Sequence, residues 1–185
     1  MRLPSYSALQ RSSDLIGLCR GCSGWVCRPT HHWSGSPDKK SSDSWHSCTD
    51  WTLADSNGKK FTLKDFRGQL VVLDFWGTWC LPCRKGMPAI QALHDKFKAR
   101  GVAVFGIAVA DQEGDPVGYM KRMSFTYGLL LKGDSVAADY KASMMPTLYV
   151  IGVDGKILHA ESGYREKAKE ELNELIERSL NANKK

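Results

Sequence analysis

Two apolar runs of strand length, residues 70 to 75 with Asp74 as the one break and residues 102 to 109, mark the centre of the chain. Runs of this kind are buried on both faces of a sheet. Between them, from about Leu81, Met87, Ile90, Leu93 and Phe97 recur at spacings of three and four, which predicts a helix with one apolar stripe. Strand, helix and strand then form a right-handed crossover with the two strands parallel. Pro88 lies inside that helix and should kink it. Upstream, Trp51-Thr52-Leu53 and Phe61-Thr62-Leu63 alternate apolar and polar around an Asn57-Gly58 turn, a short hairpin. Residues 64 to 68 predict one helical turn that closes on glycine.

Downstream, Asp115-Pro116 supplies a cap and first turn for a helix through Met123. A short strand over Leu129-Leu130-Leu131 and a short helix from Ser135 to Tyr140 follow. Residues 144 to 151 predict a strand that opens with Pro146, and Asp154-Gly155 turns the chain back into an antiparallel partner over residues 157 to 160. From Tyr164 to Leu180, Ala168, Leu172, Leu175, Ile176 and Leu180 form one stripe, an amphipathic helix expected on the second face of the sheet. Met120, Met123 and Met144 are expected to fill the core.

Composition changes the picture mainly at the N-terminus. The 185 residues carry a formal charge of +6, and residues 1 to 44 hold six Lys/Arg against three Asp/Glu, half of the excess. No basic stripe with interleaved aromatics stands out, which argues against nucleic acid. Apolar runs of about 18 residues are missing, so no membrane-spanning segment is expected. Residues 1 to 44 are rich in Ser, Gly, Arg and His with little apolar period, and predict a disordered leader or linker before a domain over 45–181 and a tail over 182–185. Leu15-Ile16-Gly17-Leu18 is far shorter than the about 7 to 15 apolar residues of a secretory signal. An organellar transit peptide, or a start codon placed too far upstream, accounts for the leader equally well. Cys19, Cys22 and Cys27 with His31 and His32 match no standard zinc spacing, and Cys48 stands apart, so these four thiols are read as tail chemistry of no assigned role.

Cys80 and Cys83 are different, because a strand runs straight into them and a helix follows. At a helix start the first backbone N–H groups are unpaired and point outward, so negative charge is favoured there. Two residues between the thiols let the pair close into a disulfide and trade it with another molecule. Arg84 and Lys85 nearby should further lower the first thiol's pKa, which makes Cys80 the attacking thiol. Cys83, one turn in, should be the more buried and resolve the mixed disulfide. Half a zinc site is the rival reading, and a metallochaperone holding copper or zinc on the two thiols is its functional form. Asp74, six residues before Cys80, interrupts the apolar strand, and burial would raise its pKa.

The segment Phe75-Trp76-Gly77-Thr78-Trp79-Cys80-Leu81-Pro82-Cys83 with Pro88 resembles the active-site segment of thioredoxin-fold oxidoreductases, and more narrowly the TlpA/ResA-like branch. The resemblance spans about residues 51 to 180. It implies an α/β thioredoxin fold: a central mixed sheet with helices on both faces, an N-terminal hairpin and one inserted helix. It implies a protein-disulfide oxidoreductase, a reductant rather than an oxidant, with Asp74 beneath the pair shuttling the second thiol's proton. Trp79, Pro82, Met145 and Pro146 would meet the substrate, with a cis bond before Pro146 facing the sulfurs. The same resemblance implies disulfide-containing protein substrates, an upstream dithiol reductant, an extracytoplasmic (periplasmic) setting, a monomer, no bound cofactor and no metal. One departure stands out: where ResA-type members carry a glutamate three residues after the second cysteine, this chain has Gly86.

Overall fold

A computed structural model describes residues 50 to 182. The leader over 1–44, Cys19, Cys22, Cys27, Cys48 and residues 183–185 of the expected tail lie outside the described residues, while Ala182 ends the last helix. The hairpin forms first: β1 (Thr52–Ala54) pairs antiparallel with β2 (Lys60–Thr62), and Leu53 faces Phe61. Gly58 at the tip adopts φ +79°, a left-handed conformation that glycine takes without steric cost. A 3-10 turn over Leu63–Phe66 follows, and Gly68 at φ +84° releases the chain into the sheet.

The sheet has five strands in the order β5-β4-β3-β6-β7, with β3 (Leu70–Trp76) in the middle. It pairs parallel with β4 (Val102–Ala108), which pairs parallel with β5 (Gly128–Leu130). On its other side it pairs antiparallel with β6 (Thr147–Ile151), and β6 pairs antiparallel with β7 (Ile157–Ser162). The helices are α1 (Leu81–Phe97), α2 (Pro116–Arg122), α3 (Asp134–Asp139) and α4 (Ala168–Ala182). Pro88 sits inside α1, and the helix continues through it. Helix α2 is the inserted element between β4 and β5; its cap is Asp115, whose carboxylate accepts the Gly118 N–H at 2.7 Å.

Alternation along β3 divides the interior into two layers. Leu70, Val72 and Trp76 pack with Met87, Ile90, Leu93 and Phe97 of α1, Met120 of α2, and Leu172 and Ile176 of α4. Val71, Leu73 and Phe75 face the opposite side, where Val136 and Ala137 of α3, Trp51 and Leu53 of the hairpin, and Phe105 close the layer. The expected place of the last helix is therefore corrected: α4 shares its face with α1, and α3 with the hairpin covers the second face. The apolar stripe of α4 was legible, but a stripe fixes what a helix buries and not which side the chain takes to reach it. Helix α4 also begins at Ala168 rather than Tyr164, and Arg165, just before it, pairs with Glu161 and Glu171. Met123 and Met144 are corrected too: both are about half exposed, one just past the end of α2 and the other in the loop before β6, while Met120 is buried as expected.

Candidate active site

Cys80 is the cap of α1 and Cys83 lies in its first turn, joined to it as a disulfide with Cα atoms 5.3 Å apart. The strand delivers them: β3 ends at Trp76, and the backbone then turns through Gly77, whose carbonyl accepts the Cys80 N–H at 3.0 Å. The Cys83 N–H points at Cys80 Sγ at 3.2 Å. That donor is one of the unpaired groups of the helix start, and it favours a negative sulfur at position 80 over a neutral one. Arg84 and Lys85 are exposed on the same turn. Cys83 is 2% and Cys80 3% exposed, so with the disulfide closed the two residues differ little in depth. Trp79 and Leu81, the neighbours of Cys80 in the chain, are more than half exposed.

Asp74 lies on the face of β3 that carries Val72 and Trp76, the face that α1 covers. It is 4% exposed and lines a cavity of about 300 Å³ together with Cys83, Gly86, Pro146, Glu161 and Tyr164. Burial pushes its carboxyl from the ordinary 3.8 up to about 7, because the charged form loses its water. The central position of β3 in the sheet keeps this side chain away from a solvent-lined edge. Cross-strand register sets Gly106 on one side of Asp74 and Leu148 on the other, with Glu161 opposite Leu148. Glu161 is thus a second acid on the same face. Burial works to raise its pKa, yet hydrogen bonds from Arg165 and from His159, the latter at 3.3 Å, outweigh it and hold the carboxyl below its ordinary value.

Pro146 follows a cis peptide bond from Met145 and lies immediately before β6. The Pro146 carbonyl accepts the Gly163 N–H at 2.7 Å, and Thr147 Oγ1 donates to the Met144 carbonyl at 2.5 Å. Cys83, Asp74 and Pro146 therefore meet in one cavity with Cys80 bonded to Cys83, and Trp79 and Pro82, next to the cysteines in the chain, are exposed. Sequence reasoning missed Asp111, which grips the loop before Cys80 through Thr78, and Glu161. The signal for Asp111 was an acid placed just past the apolar run of β4, where sheet ends gather a site. No spacing rule links residue 161 to residue 83. Gly86, where the resembled branch has glutamate, faces Tyr164: a Cβ there would lie 3.2 Å from Cδ2 of its ring.

The family model described as AhpC/TSA matches residues 46–160. The chain belongs to the AhpC/TSA family. Among curated relatives, the thiol-disulfide oxidoreductase ResA of Bacillus thuringiensis subsp. konkukian (strain 97-27) is 33% identical over 129 residues, 69% of this chain and 73% of the relative. The protein of the same name from Bacillus subtilis (strain 168) is 33% identical over 114 residues, 61% of this chain and 64% of the relative. A crystal structure of a putative thiol:disulfide interchange protein DsbE from Chlorobium tepidum superposes with a TM-score of 0.69 at 29% identity, covering 75% of this chain and 98% of that one. This AhpC/TSA member is a thiol-disulfide oxidoreductase of ResA-like type with a thioredoxin fold. Such an activity implies protein substrates and a reductant partner. The metallochaperone alternative finds no support, since the relatives named here are thiol-disulfide proteins. Among the described residues no helix is long and apolar enough to cross a membrane.

Proposed function

We propose that the protein reduces disulfides of protein substrates through Cys80, Cys83 and Asp74. The observation that carries this reading is one cavity lined by both Cys83 and a carboxyl of pKa about 7, under a helix start whose N–H points at Cys80 Sγ. In the reduced protein Cys80 attacks as thiolate, one substrate sulfur leaves as a thiolate, and a mixed disulfide forms. Asp74, as carboxylate, takes the Cys83 proton; Cys83 then attacks Cys80 Sγ, the second substrate thiolate leaves, and the ring disulfide closes. Two electrons pass to the substrate per cycle, and an upstream dithiol protein restores the pair. No bound cofactor takes part.

Trp79 and Pro82 at the rim, with Met145 and Pro146 opposite, receive the substrate. Between the tied carbonyls of Met144 and Pro146, Met145 is the residue whose peptide groups remain for an extended segment to pair with. The working unit is the domain over 45–181, acting as a monomer in an extracytoplasmic compartment, as the resemblance to the ResA-like branch implies. Insulin reduction by the full chain tests the activity, with Cys83→Ser as the informative variant: it should accumulate a mixed disulfide through Cys80. Wild-type protein that takes up copper or zinc tightly and leaves insulin oxidised would restore the metal reading.

A further inference from the structure

The loop that leaves β4 holds the segment before Cys80 at four points. Val109 N–H donates to the Trp76 carbonyl at 2.9 Å, and Trp79 Nε1 donates to the Val109 carbonyl at 3.3 Å. Asp111 supplies the other two: its carboxylate accepts the Thr78 N–H at 2.9 Å on one oxygen and Thr78 Oγ1–H at 2.5 Å on the other. The surroundings are fitted to this clamp. A Cβ on Gly114 would lie 1.8 Å from Asp111 Oδ1 and 2.3 Å from Thr78 Oγ1, so no side chain fits there while the pair is made. Ala110 takes a left-handed φ of +50°, which costs energy in a residue with a Cβ, and its N–H is held by Asp134 at 2.9 Å. Loop, cap and strap together fix Gly77, Thr78 and Trp79, and the Cys80 N–H hangs from the Gly77 carbonyl.

We propose that Asp111 is a positioning residue for disulfide exchange and that its carboxylate biases the Cys80–Cys83 pair toward the reducing side. Two effects follow from one side chain. As a two-pronged acceptor it orders the loop that presents Trp79 and Cys80. As an anion beside that loop it opposes the help that Cys80 gets from the helix start and from Arg84 and Lys85. A nearby like charge disfavours a thiolate. A pair whose thiolate is less favoured holds its electrons less firmly in the dithiol form, so it gives them up to a substrate more readily. The inference rests on Cys80 being the attacking thiol, as proposed above.

Two variants separate tether from charge. In Asp111→Asn the amide oxygen still accepts the Thr78 N–H and the amide nitrogen can donate to Thr78 Oγ1, so the tether stays and the charge goes. In Asp111→Ala both go. The readouts are the pH profile of Cys80 alkylation, followed by peptide mapping, and the equilibrium potential against glutathione. Both variants should raise the Cys80 thiolate fraction below its pKa about two- to fourfold, and above that pKa, where the reduced pair is mostly thiolate, the same factor makes the potential about 9 to 18 mV more oxidising at 29.6 mV per tenfold. Asp111→Ala alone should also lose about five- to tenfold in kcat/KM on insulin, because Trp79 is no longer held. An unchanged profile and potential in Asp111→Asn, with only a lower melting temperature in Asp111→Ala, would overturn the inference and leave Asp111 a structural residue. Failure of the reading beneath it looks different: wild-type Cys80 would then alkylate no faster than free cysteine, whatever stands at position 111.

Discussion

Asp74→Asn replaces a buried carboxyl with a neutral amide of nearly the same shape, and its effect on stability should depend strongly on pH. The carboxyl keeps its proton up to about pH 7 in the folded protein and loses it near 3.8 in the unfolded chain. Below 3.8 both states are protonated and the group carries no pH-linked penalty. Between 3.8 and about 7 the folded state holds a proton that the unfolded state has released, so stability falls as pH rises. The fall stops once the folded carboxyl has also ionised. The span is a little over three powers of ten in proton affinity, so at 1.36 kcal/mol per power the penalty above pH 7 reaches about 4 kcal/mol as an upper bound. Asparagine has no such term. Urea unfolding of the oxidised protein, disulfide intact, should therefore show Asp74→Asn gaining about 2 to 4 kcal/mol on wild type between pH 4 and pH 8. The same variant should slow resolution of a trapped mixed disulfide by about 10²-fold or more, since a positioned base is gone. The wild-type rise of that step through pH 7 should flatten. Equal pH dependence of stability in the two proteins would refute the buried acid, whatever happened to turnover.

Other substitutions test the packing and the rim. Trp79 is 58% exposed, so Trp79→Ala should change stability by less than about 1 kcal/mol while raising KM for insulin, read by denaturant titration beside steady-state kinetics. Phe97 is fully buried in the layer between α1 and the sheet, and Phe97→Ala should cost about 3 to 5 kcal/mol in the same titration. Gly106→Ala would place a Cβ 2.8 Å from Trp76 Nε1 and 3.0 Å from the Tyr127 ring, both buried, so a loss of about 1 to 3 kcal/mol is expected, and a neutral result would mean the two rings can move.

Periodicity carried most of the fold. The apolar runs of β3 and β4, the stripe of α1 and the turn at Gly155 are local patterns that no tertiary choice could reverse. The side on which α4 packs is another matter, because both faces of a central sheet are apolar and the connection after β7 is long enough to reach either. Met144 illustrates the same limit: an apolar side chain in a loop beside Pro146 is read as core by type alone, yet it stands 60% exposed at the site. Within the site, Cys80, Cys83 and Asp74 announced themselves through spacing and through a charge in an apolar strand. Asp111 and Glu161 reach it across the sheet, at separations of 33 residues from Thr78 and of two strands from Asp74, and only register makes them neighbours.

The claim on which the rest depends is that the helix start ionises Cys80 ahead of Cys83. Alkylation of the reduced protein across pH, with each thiol followed by mapping, measures it directly. Cys80 should react first and titrate clearly below the free thiol's about 8.5, while Cys83 should lag and titrate above it. Cys83 reacting first, or both thiols titrating together near 8.5, would contradict it.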